Sequence, residues 1–373
     1  MNTSLHIAIV IGDSTHNTLS AVRSLGEAGI EQYLILKCEE DTCFVAKSKY
    51  LKKNRVQYIQ SIDECFSVLE KMKEMEGIKT IICTFDEAAV FIDSLEKELA
   101  PYFRTPAKGK TIGSLFNKDE QCKLAIQCGL TVPRSQIFHR TDKIDSICID
   151  YPILLKPLYS TQGEKSDIHI CYVFQDLKSA LKEESHCKDF ILQEFINKEY
   201  ELDCIGVRTE KGVFLSGAVR KIRHYPYLIG AGAYGLFLPL KELNIDIPGL
   251  ERFFEHAGYY GPFSVEFLHK DNKNYFMEVN FRNEGLAYAS TAAGANLHAF
   301  YVNPDYTIDW QHIRRTYMMN YSIDFLYVKN GDVSLRLWLK DFMRTRCFIN
   351  FNWRDPMPTV CYYLHKIKKR FQR

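Results

Sequence analysis

The sequence lacks the features that mark several large classes of protein. Lysine and arginine (48) nearly cancel aspartate and glutamate (46) in its 373 residues, so no overall positive field favours a nucleic-acid partner. No apolar run approaches the roughly 20 residues that a membrane-spanning helix needs. Met1 to His6 also shows none of the basic and apolar pattern of a secretory signal. We therefore expect a cytoplasmic protein that binds no nucleic acid.

Paired cysteines and a complete glycine fingerprint are also missing. The twelve cysteines are scattered singly, without a Cys-x-x-Cys pair, which is typical of reduced structural thiols rather than of disulfides or a zinc centre. Gly12 ends the first apolar run without the further glycines that let a backbone approach a dinucleotide. A dinucleotide site at this turn is therefore not expected.

The first third of the chain alternates strand and helix patterns, which predicts a small parallel sheet. The predicted elements are strands at residues 7–11, 33–36 and 80–84, and helices at 19–25 and 65–75. Residues 101–113 are rich in proline, glycine, lysine and threonine, which is typical of a linker. We therefore expect a first domain over residues 1–113.

Residues 114–300 show antiparallel patterning, in which strands alternate or run apolar between turn residues. Helices are predicted at 118–128, 176–184 and 250–257, and strands at 151–155, 169–173, 191–196, 199–207, 213–223, 263–268 and 275–279. The glycines among residues 230–235 indicate a glycine-rich loop. From residue 303 the pattern becomes aromatic and basic, which predicts a helical extension over residues 301–373.

The strongest chemical signal is a set of oxygen ligands on the last predicted hairpin. Glu278 and Asn280 are two residues apart and share a face of one strand, and Glu266 lies on the strand before it. Two converging carboxylates repel each other by about 4 kcal/mol at 4 Å and an effective dielectric near 20. A divalent cation removes that penalty, and this donor set suits Mg²⁺ or Mn²⁺. The alternative interpretation is a set of solvated hairpin residues.

Weaker signals lie upstream of this hairpin. Lys156 ends a buried strand, where an ammonium can reach a phosphate, and residues 158–165 follow as a loop with Ser160, Thr161, Gln162 and Gly163. An extended hinge can then pair with an adenine edge, and two acids beyond it can accept hydrogen bonds from a ribose. The hinge residues are Gln193, Glu194, Phe195 and Ile196, and the acids are Glu199 and Glu201.

Taken in order, these residues resemble the ATP-grasp family. The resemblance covers about residues 117–297 and is most specific from Glu278 to Leu297. It implies a Rossmann-like α/β domain, followed by an α+β domain that holds a nucleotide between two antiparallel sheets. It assigns Lys118 and Lys156 to the phosphates, Gln193 to Ile196 to adenine, Glu199 to the ribose, Glu266, Glu278 and Asn280 to Mg²⁺, and Arg282 to the transferring phosphoryl group.

A second resemblance concerns residues 220–226, which are similar to a motif in relatives of D-aspartate ligases and carbamoyl-phosphate-synthase-like proteins of surface-polysaccharide loci. It makes Arg220, Lys221 and Arg223 candidates for the substrate carboxylate. Residues 221 and 223 should share a strand face, with residue 220 opposite. The resemblance implies an ADP-forming carboxylate–amine ligase, with surface polysaccharide or peptidoglycan biosynthesis as its setting. A thiol or carbamoyl acceptor and a non-catalytic nucleotide-binding subunit are the alternatives.

The end of the chain carries an apolar helical stripe at Val360, Leu364, Ile367 and Phe371. Basic residues flank the stripe: Lys366, Lys368, Lys369 and Arg370. Such a helix can rest on an anionic membrane or pack on the protein's own surface. Besides peripheral membrane contact, self-association as a homodimer is the other macromolecular contact that we consider.

Overall fold

The computed structural model describes residues 5–109, 112–144, 147–158, 168–184, 187–225 and 231–371. Its first unit is a parallel sheet, as the apolar runs predict; the strand order is β3-β2-β1-β4, and β3 was not among the predicted strands. The elements are β1 (His6–Gly12), α1 (His16–Glu27), β2 (Glu31–Lys37), β3 (Val56–Ile59), α2 (Glu64–Met72), β4 (Ile78–Cys83), α3 (Asp86–Ser94) and α4 (Glu96–Leu99). The connections leave β1 and β4 in opposite directions, and a crevice between such strands at their carboxyl ends is a common ligand site.

A small antiparallel sheet follows, with strand order β5-β8-β6-β7. The elements of this part of the chain are α5 (Ile112–Leu115), α6 (Lys118–Gln127), β5 (Ser135–His139), β6 (Ile153–Pro157), β7 (His169–Cys171), α7 (Phe174–Glu183) and β8 (Asp189–Glu194). Helix α6 begins where the Asn117 side chain accepts a hydrogen bond from the amide of Asp119 at 2.9 Å. It ends before Gly129, whose φ of +82° suits a glycine.

The central sheet has the order β13-β12-β9-β10-β11-β14-β15 among the described residues. Its elements are β9 (Tyr200–Thr209), β10 (Gly212–Tyr225), β11 (Ala231–Pro239), α8 (Ile247–Ala257), β12 (Gly261–Lys270), β13 (Lys273–Asn280), β14 (Thr316–Met319) and β15 (Cys347–Phe348). One face packs on α8 through phenylalanines such as Phe253 and Phe263. The other face supports the parallel sheet and, near one end, the charged site described below.

The predicted glycine-rich loop at residues 230–235 is wrong for residues 231–235, which form the start of β11. Gly230 lies outside the described residues. The glycine at 235 serves close packing rather than a turn, because a Cβ there would lie 2.7 Å from Val219 Cγ1 and 3.0 Å from the carbonyl oxygen of Arg220. Small residues at these positions let β10 and β11 approach each other.

Two helices precede residue 303, α9 (Tyr288–Ala293) and α10 (Leu297–Val302), and the extension predicted to be helical contains α11 (Tyr321–Lys329), α12 (Leu335–Arg344) and α13 (Met357–Phe371). It also contributes β14 and β15, which its sequence pattern does not indicate. One apolar core joins Val22 of α1, Val219 of β10 and Leu297 of α10. Within the described ranges, no helix has the length and apolarity needed to cross a bilayer. The domain limits at 113 and 300 stay predictions.

Candidate functional site

A cluster of acidic side chains lies on neighbouring strands of the central sheet. Glu201 and Asp203 are two residues apart on β9 and therefore share a face. Asp203 is the cross-strand partner of Glu266 on β12, and Glu266 in turn is the partner of Glu278 on β13. Four carboxylates from three adjacent strands thus occupy one end of the sheet.

Lys221 of β10 supplies a positive charge inside this cluster. Its buried ammonium lies 3.0 Å from Glu266 Oε2, 3.3 Å from Glu201 Oε2 and 3.9 Å from Asp203 Oδ2. Burial alone would lower the pKa of Lys221, but Glu266, Asp203 and Glu201 together raise it well above its usual value. Lys221 is therefore charged, and the carboxylates around it outnumber it.

Glu201 is held in its ionised form at the same place. Burial would raise the pKa of Glu201, but a hydrogen bond with His224 and the charges of Lys221 and Lys198 lower it well below its usual value. The His224 Nε2 lies 3.1 Å from Glu201 Oε2, and Lys198 also pairs with this carboxylate. Glu201 is therefore a permanent anion of the cluster.

The arrangement fits a divalent cation. Ligand oxygens of Asp203, Glu266 and Glu284 all lie within 4.8 Å of one another. Glu266 belongs to the predicted triad, and Glu278 faces it across the strand pair. Asp203 and Glu284 were not predicted, although Asp203 follows Glu201 at the alternating spacing that places both on one face.

Asn280, the third predicted metal ligand, makes other contacts in this structure. Its amide nitrogen donates to Ser264 Oγ at 3.2 Å, and its amide oxygen accepts from Arg282 Nη2 at 3.2 Å. Asn280 lies two residues after Glu278 on β13, opposite Ser264 of β12. Its role as a metal ligand stays a prediction.

Lys156 faces the acidic cluster from the small sheet. It is buried, and its ammonium donates to Gln193 Oε1 at 2.9 Å. Burial lowers the pKa of Lys156 to about 8, and the charge of Lys118 at the start of α6 adds to this shift, while Glu278 and Glu266 oppose it. Two lysines and the carboxylates therefore act on one another across the space between the two sheets.

The predicted hinge leaves the small sheet beside Lys156. The amide of Glu194 donates to the Arg134 carbonyl at 2.8 Å, and the amide of Phe195 donates to the Pro152 carbonyl at 3.1 Å. Gln193 is fully buried, and its Nε2 has no hydrogen-bond partner within the described part of the chain. The adenine contacts of residues 193–196 stay predictions, and the Gln193 amide is a donor that they can use.

Glu199, the predicted ribose ligand, is exposed. Its Oε1 accepts a hydrogen bond from the amide of Asp271 at 3.2 Å, in the turn between β12 and β13. Glu201 instead lies in the acidic cluster. Both assignments stay predictions, and the geometry favours Glu201 as the acid that faces the cleft. The predicted phosphate loop at Ser160 to Gly163 lies outside the described residues.

Known proteins share this architecture. The ADP complex of an N5-carboxyaminoimidazole ribonucleotide synthetase matches with a TM-score of 0.66 at 14% identity, covering 88% of this chain and 87% of that one. The L-amino acid ligase of Bacillus licheniformis matches with a TM-score of 0.59 at 15% identity over 82% of this chain and 75% of that one. The biotin carboxylase domain of Hydrogenobacter thermophilus 2-oxoglutarate carboxylase, a complex with MgADP, matches with a TM-score of 0.61 at 15% identity over 85% and 74%.

The chain has the ATP-grasp fold. The carbamoyl phosphate synthase large chain of Helicobacter pylori is 24% identical over 247 residues, which are 62% of this chain and 22% of that protein. The corresponding chain of Sulfolobus acidocaldarius is 23% identical over 159 residues, which are 40% of this chain and 14% of that protein. This chain therefore matches less than a quarter of the length of these relatives. No family model matches it.

Arg282 connects the ATP-grasp sheets to the parallel sheet. Its Nε donates to Asp86 Oδ1 at 2.7 Å at the start of α3, and its Nη1 lies 3.4 Å from Glu284 Oε1. Burial would lower the pKa of Arg282, but Glu284 and Asp86 raise it further above its usual range. The next amide, that of Asn283, donates to the Cys83 carbonyl at 2.9 Å at the end of β4. The charged site thus borders the crevice between β1 and β4.

Arg223 lies elsewhere in the ATP-grasp structure. Its guanidinium makes paired hydrogen bonds of 2.7 Å with both oxygens of Asp324 on α11, and a third of 2.7 Å with Asp341 on α12. The catalytic role that we predicted for Arg223 has no support in this geometry, because its donors bind the C-terminal extension.

The predicted shared face of residues 221 and 223 is also wrong. The pairing of β10 with β11 is irregular between Lys221 and Arg223, and the irregularity shifts the alternation by one residue. His224, rather than Arg223, joins Lys221 at Glu201. Arg220 lies opposite, as expected, with its guanidinium 5.6 Å from the centre of the Tyr200 ring.

Proposed function

We propose that the chain is an ADP-forming ligase that activates a carboxylate as an acyl phosphate and joins it to an amine. The observation that carries this proposal is the acidic cluster opposite Lys156 in an ATP-grasp fold. Two structural neighbours were crystallised as complexes with ADP and MgADP. Small-molecule acids and amines are the substrates that such a site accommodates.

The donor set fits Mg²⁺, because carboxylate oxygens are the ligands that this cation prefers. Glu266 and Glu278 would hold it together with Asp203 or Glu284, the two acids whose oxygens lie near Glu266. When bound, Mg²⁺ neutralises charge on the phosphate oxygens of the nucleotide. Lys221 keeps the cluster stable without the cation, since its ammonium contacts three of the acids.

Lys156 and Arg282 supply the remaining positive charge. Lys156 is buried with a pKa near 8, so at neutral pH it presents an ammonium that a phosphate can pair with. Arg282 lies on the other side of the site, beside Glu284 and Asp86. Both groups are fixed by neighbouring side chains, and pre-positioned charges of this kind stabilise a transferring phosphoryl group.

The chemistry needs no covalent bond to the protein. A carboxylate oxygen attacks the γ-phosphorus, the bond from that phosphorus to the β,γ-bridging oxygen breaks, and ADP leaves. The amine nitrogen then attacks the acyl carbon, the bond from that carbon to the phosphate oxygen breaks, and the amine proton passes to the released phosphate or to water. The protein's part is positioning and charge stabilisation.

The acceptor would enter through the crevice at the carboxyl ends of β1 and β4. Asn17 at the start of α1 lies at this crevice, where its side chain accepts from the amide of Gly285 at 2.8 Å. Arg282 borders the same place through Asp86. This placement supports an acceptor site between the parallel sheet and the phosphate-binding groups. A setting in surface-polymer biosynthesis rests on the resemblance of residues 220–226 alone.

A carbamoyl-type reaction is the second candidate. It is favoured by the match of 62% of the chain to the large chain of carbamoyl phosphate synthase. In that case bicarbonate would replace the organic acid, and ammonia or a simple amine would attack the carboxy phosphate. The two candidates share every residue named above and differ only in the acid.

A phosphate-release screen tests the proposal. Purified protein with ATP and Mg²⁺ is given pairs of amino acids, sugar acids and amines, with bicarbonate as a separate acid. We expect ADP formation that needs one acid and one amine, and that is lost in Glu266→Gln/Glu278→Gln but kept in Glu255→Gln, an exposed acid of α8. ADP formation that is independent of any acid–amine pair would refute the ligase assignment.

A further inference from the structure

The C-terminal extension exposes large apolar side chains on one face of α12. Leu335, Leu339, Phe342 and Met343 are all exposed, and Met343 is 78% exposed. Their spacing of three or four residues places them on one side of the helix. Trp338 is three residues after Leu335 and four before Phe342, so it borders this side; it is buried, and its ring lies 5.2 Å from that of Phe342. Helix α12 therefore turns an apolar stripe to solvent although it also has an inner packing face.

Helix α13 repeats this arrangement. Met357, Val360, Leu364 and Ile367 form its exposed stripe, and Leu364 is 54% exposed. The inner side packs against the protein, where the Tyr362 ring lies 5.3 Å from Phe44. The packing interpretation of the predicted stripe is therefore wrong for Val360, Leu364 and Ile367, since the protein covers a different face of the helix. The side chain of Phe371 lies outside the described residues.

Helices α12 and α13 are linked through β15, the last strand of the central sheet among the described residues. Ring contacts connect them: Phe342 of α12 is 4.8 Å from Phe348 of β15, Phe348 is 6.3 Å from Tyr321, and Tyr321 is 6.4 Å from Tyr363 of α13. Trp353, just before α13, is 84% exposed. We call α12, α13 and Trp353 together the C-terminal apolar surface.

The exposed charge of residues 333–373 has one sign. Residues 333–373 contain ten lysines and arginines and two aspartates, Asp341 and Asp355. Asp341 is buried and pairs with Arg223 and Arg344, and Asp355 is buried and pairs with Arg23. Within residues 333–373 the exposed charged side chains are therefore basic, while two acids lie beside this segment: the exposed Asp332 before α12, and Glu27, which is 3.4 Å from Asn352 Nδ2.

We propose that the C-terminal apolar surface binds an anionic lipid bilayer. Apolar side chains of surface helices enter the boundary between headgroups and acyl chains, and flanking lysines pair with anionic headgroups. Charge decides between this occupant and a second copy of the chain. A twofold interface would bring the same basic residues of two copies together, which is unfavourable. This proposal is independent of the ligase activity.

Vesicle co-sedimentation of the full chain tests the proposal. We expect binding to vesicles rich in phosphatidylglycerol, weak binding to pure phosphatidylcholine and a decrease with salt. Leu364→Glu/Ile367→Glu and Met343→Glu should each lower the affinity at least tenfold. Lys366→Glu and Lys369→Glu should each lower it about fivefold or more. Ile126→Glu, a substitution of a 61% exposed residue of α6, should leave it unchanged.

Tryptophan fluorescence gives a second readout. Trp353 is 84% exposed, so its emission should shift to shorter wavelength on binding anionic vesicles, and Trp353→Phe should abolish the shift. Circular dichroism checks the fold of each variant, and Leu364→Ser/Ile367→Ser replaces the glutamate pair if that pair unfolds.

Unchanged sedimentation of the Leu364 and Met343 variants would overturn the proposal, as would equal binding to both lipids. A dimer of the wild type in sedimentation velocity, dissociated by these variants, would also overturn it and assign the surface to self-association.

Discussion

Replacing Lys221 by methionine tests the charge balance of the site, because methionine keeps most of the side-chain volume and removes the ammonium. At 3.0 to 3.9 Å, the attraction of the ammonium to each of its three acids is about 4–6 kcal/mol at an effective dielectric near 20. The desolvation of Lys221 offsets much of this sum, and breaking a buried pair usually costs about 3–5 kcal/mol. The loss of stability has an upper limit, because a carboxylate left without the ammonium can take up a proton instead. Protonating an ordinary carboxyl at pH 7 takes about 4 kcal/mol.

We therefore expect Lys221→Met to lose about 3–4 kcal/mol of unfolding free energy in urea at pH 7. The pKa of a carboxyl that lacks its countercharge is raised in the folded state, so the deficit is present above that pKa and shrinks as the pH falls towards 5. Mg²⁺ should also restore stability to the variant more than to the wild type.

Lys79→Met is the matched control. Lys79 is also a buried lysine, but its ammonium binds the backbone carbonyls of Lys73 and Met75 rather than acids. Its loss of stability should depend on neither Mg²⁺ nor pH between 5 and 7. A Lys221→Met loss below about 1 kcal/mol, or one equally insensitive to Mg²⁺ and pH, would refute the reasoning.

Three further predictions concern other charged groups. Burial and Lys118 lower the pKa of Lys156 to about 8, so its ammonium is lost as the pH rises through 8. ADP affinity measured by calorimetry should fall over this range in the wild type and stay flat in Lys156→Gln. Burial lowers the pKa of His298 to about 4, so folding loses up to about 3 kcal/mol as the pH falls from 6.5 to 4, and His298→Gln should flatten urea unfolding against pH. Arg223→Ala should destabilise the extension by about 3–5 kcal/mol and expose it to trypsin, whereas a lower kcat with unchanged stability would instead support catalysis by Arg223.

The parallel sheet was readable from the sequence because its buried strands are continuous apolar runs. Strand β3 was missed, since it is short and its Gln57 is exposed. Strands β14 and β15 have four and two residues, and what makes them strands is pairing with distant parts of the chain. The glycines at the start of β11 were predicted as a loop because close strand packing and turns favour the same residue.

The site was readable where local periodicity determines it. The hairpin predicted between Glu266 and Glu278 places these two acids on neighbouring strands, and they are partners across β12 and β13. Asp203 was missed because its place beside Glu266 depends on the register of β9 with β12, which no local pattern encodes. The contacts of Arg223 could not be predicted because its partner Asp324 lies 101 residues further along the chain, and its catalytic role stays a prediction.

Nucleotide-dependent binding of a divalent cation is the most direct test of the account. Mn²⁺ can replace Mg²⁺, and its paramagnetic resonance counts bound ions in the presence of ADP. We predict a cation site that needs ADP, is lost in Glu266→Gln/Glu278→Gln and is kept in Glu255→Gln. Undiminished Mn²⁺ and ADP binding in the double variant would contradict the proposal that these acids hold the cation between the two sheets.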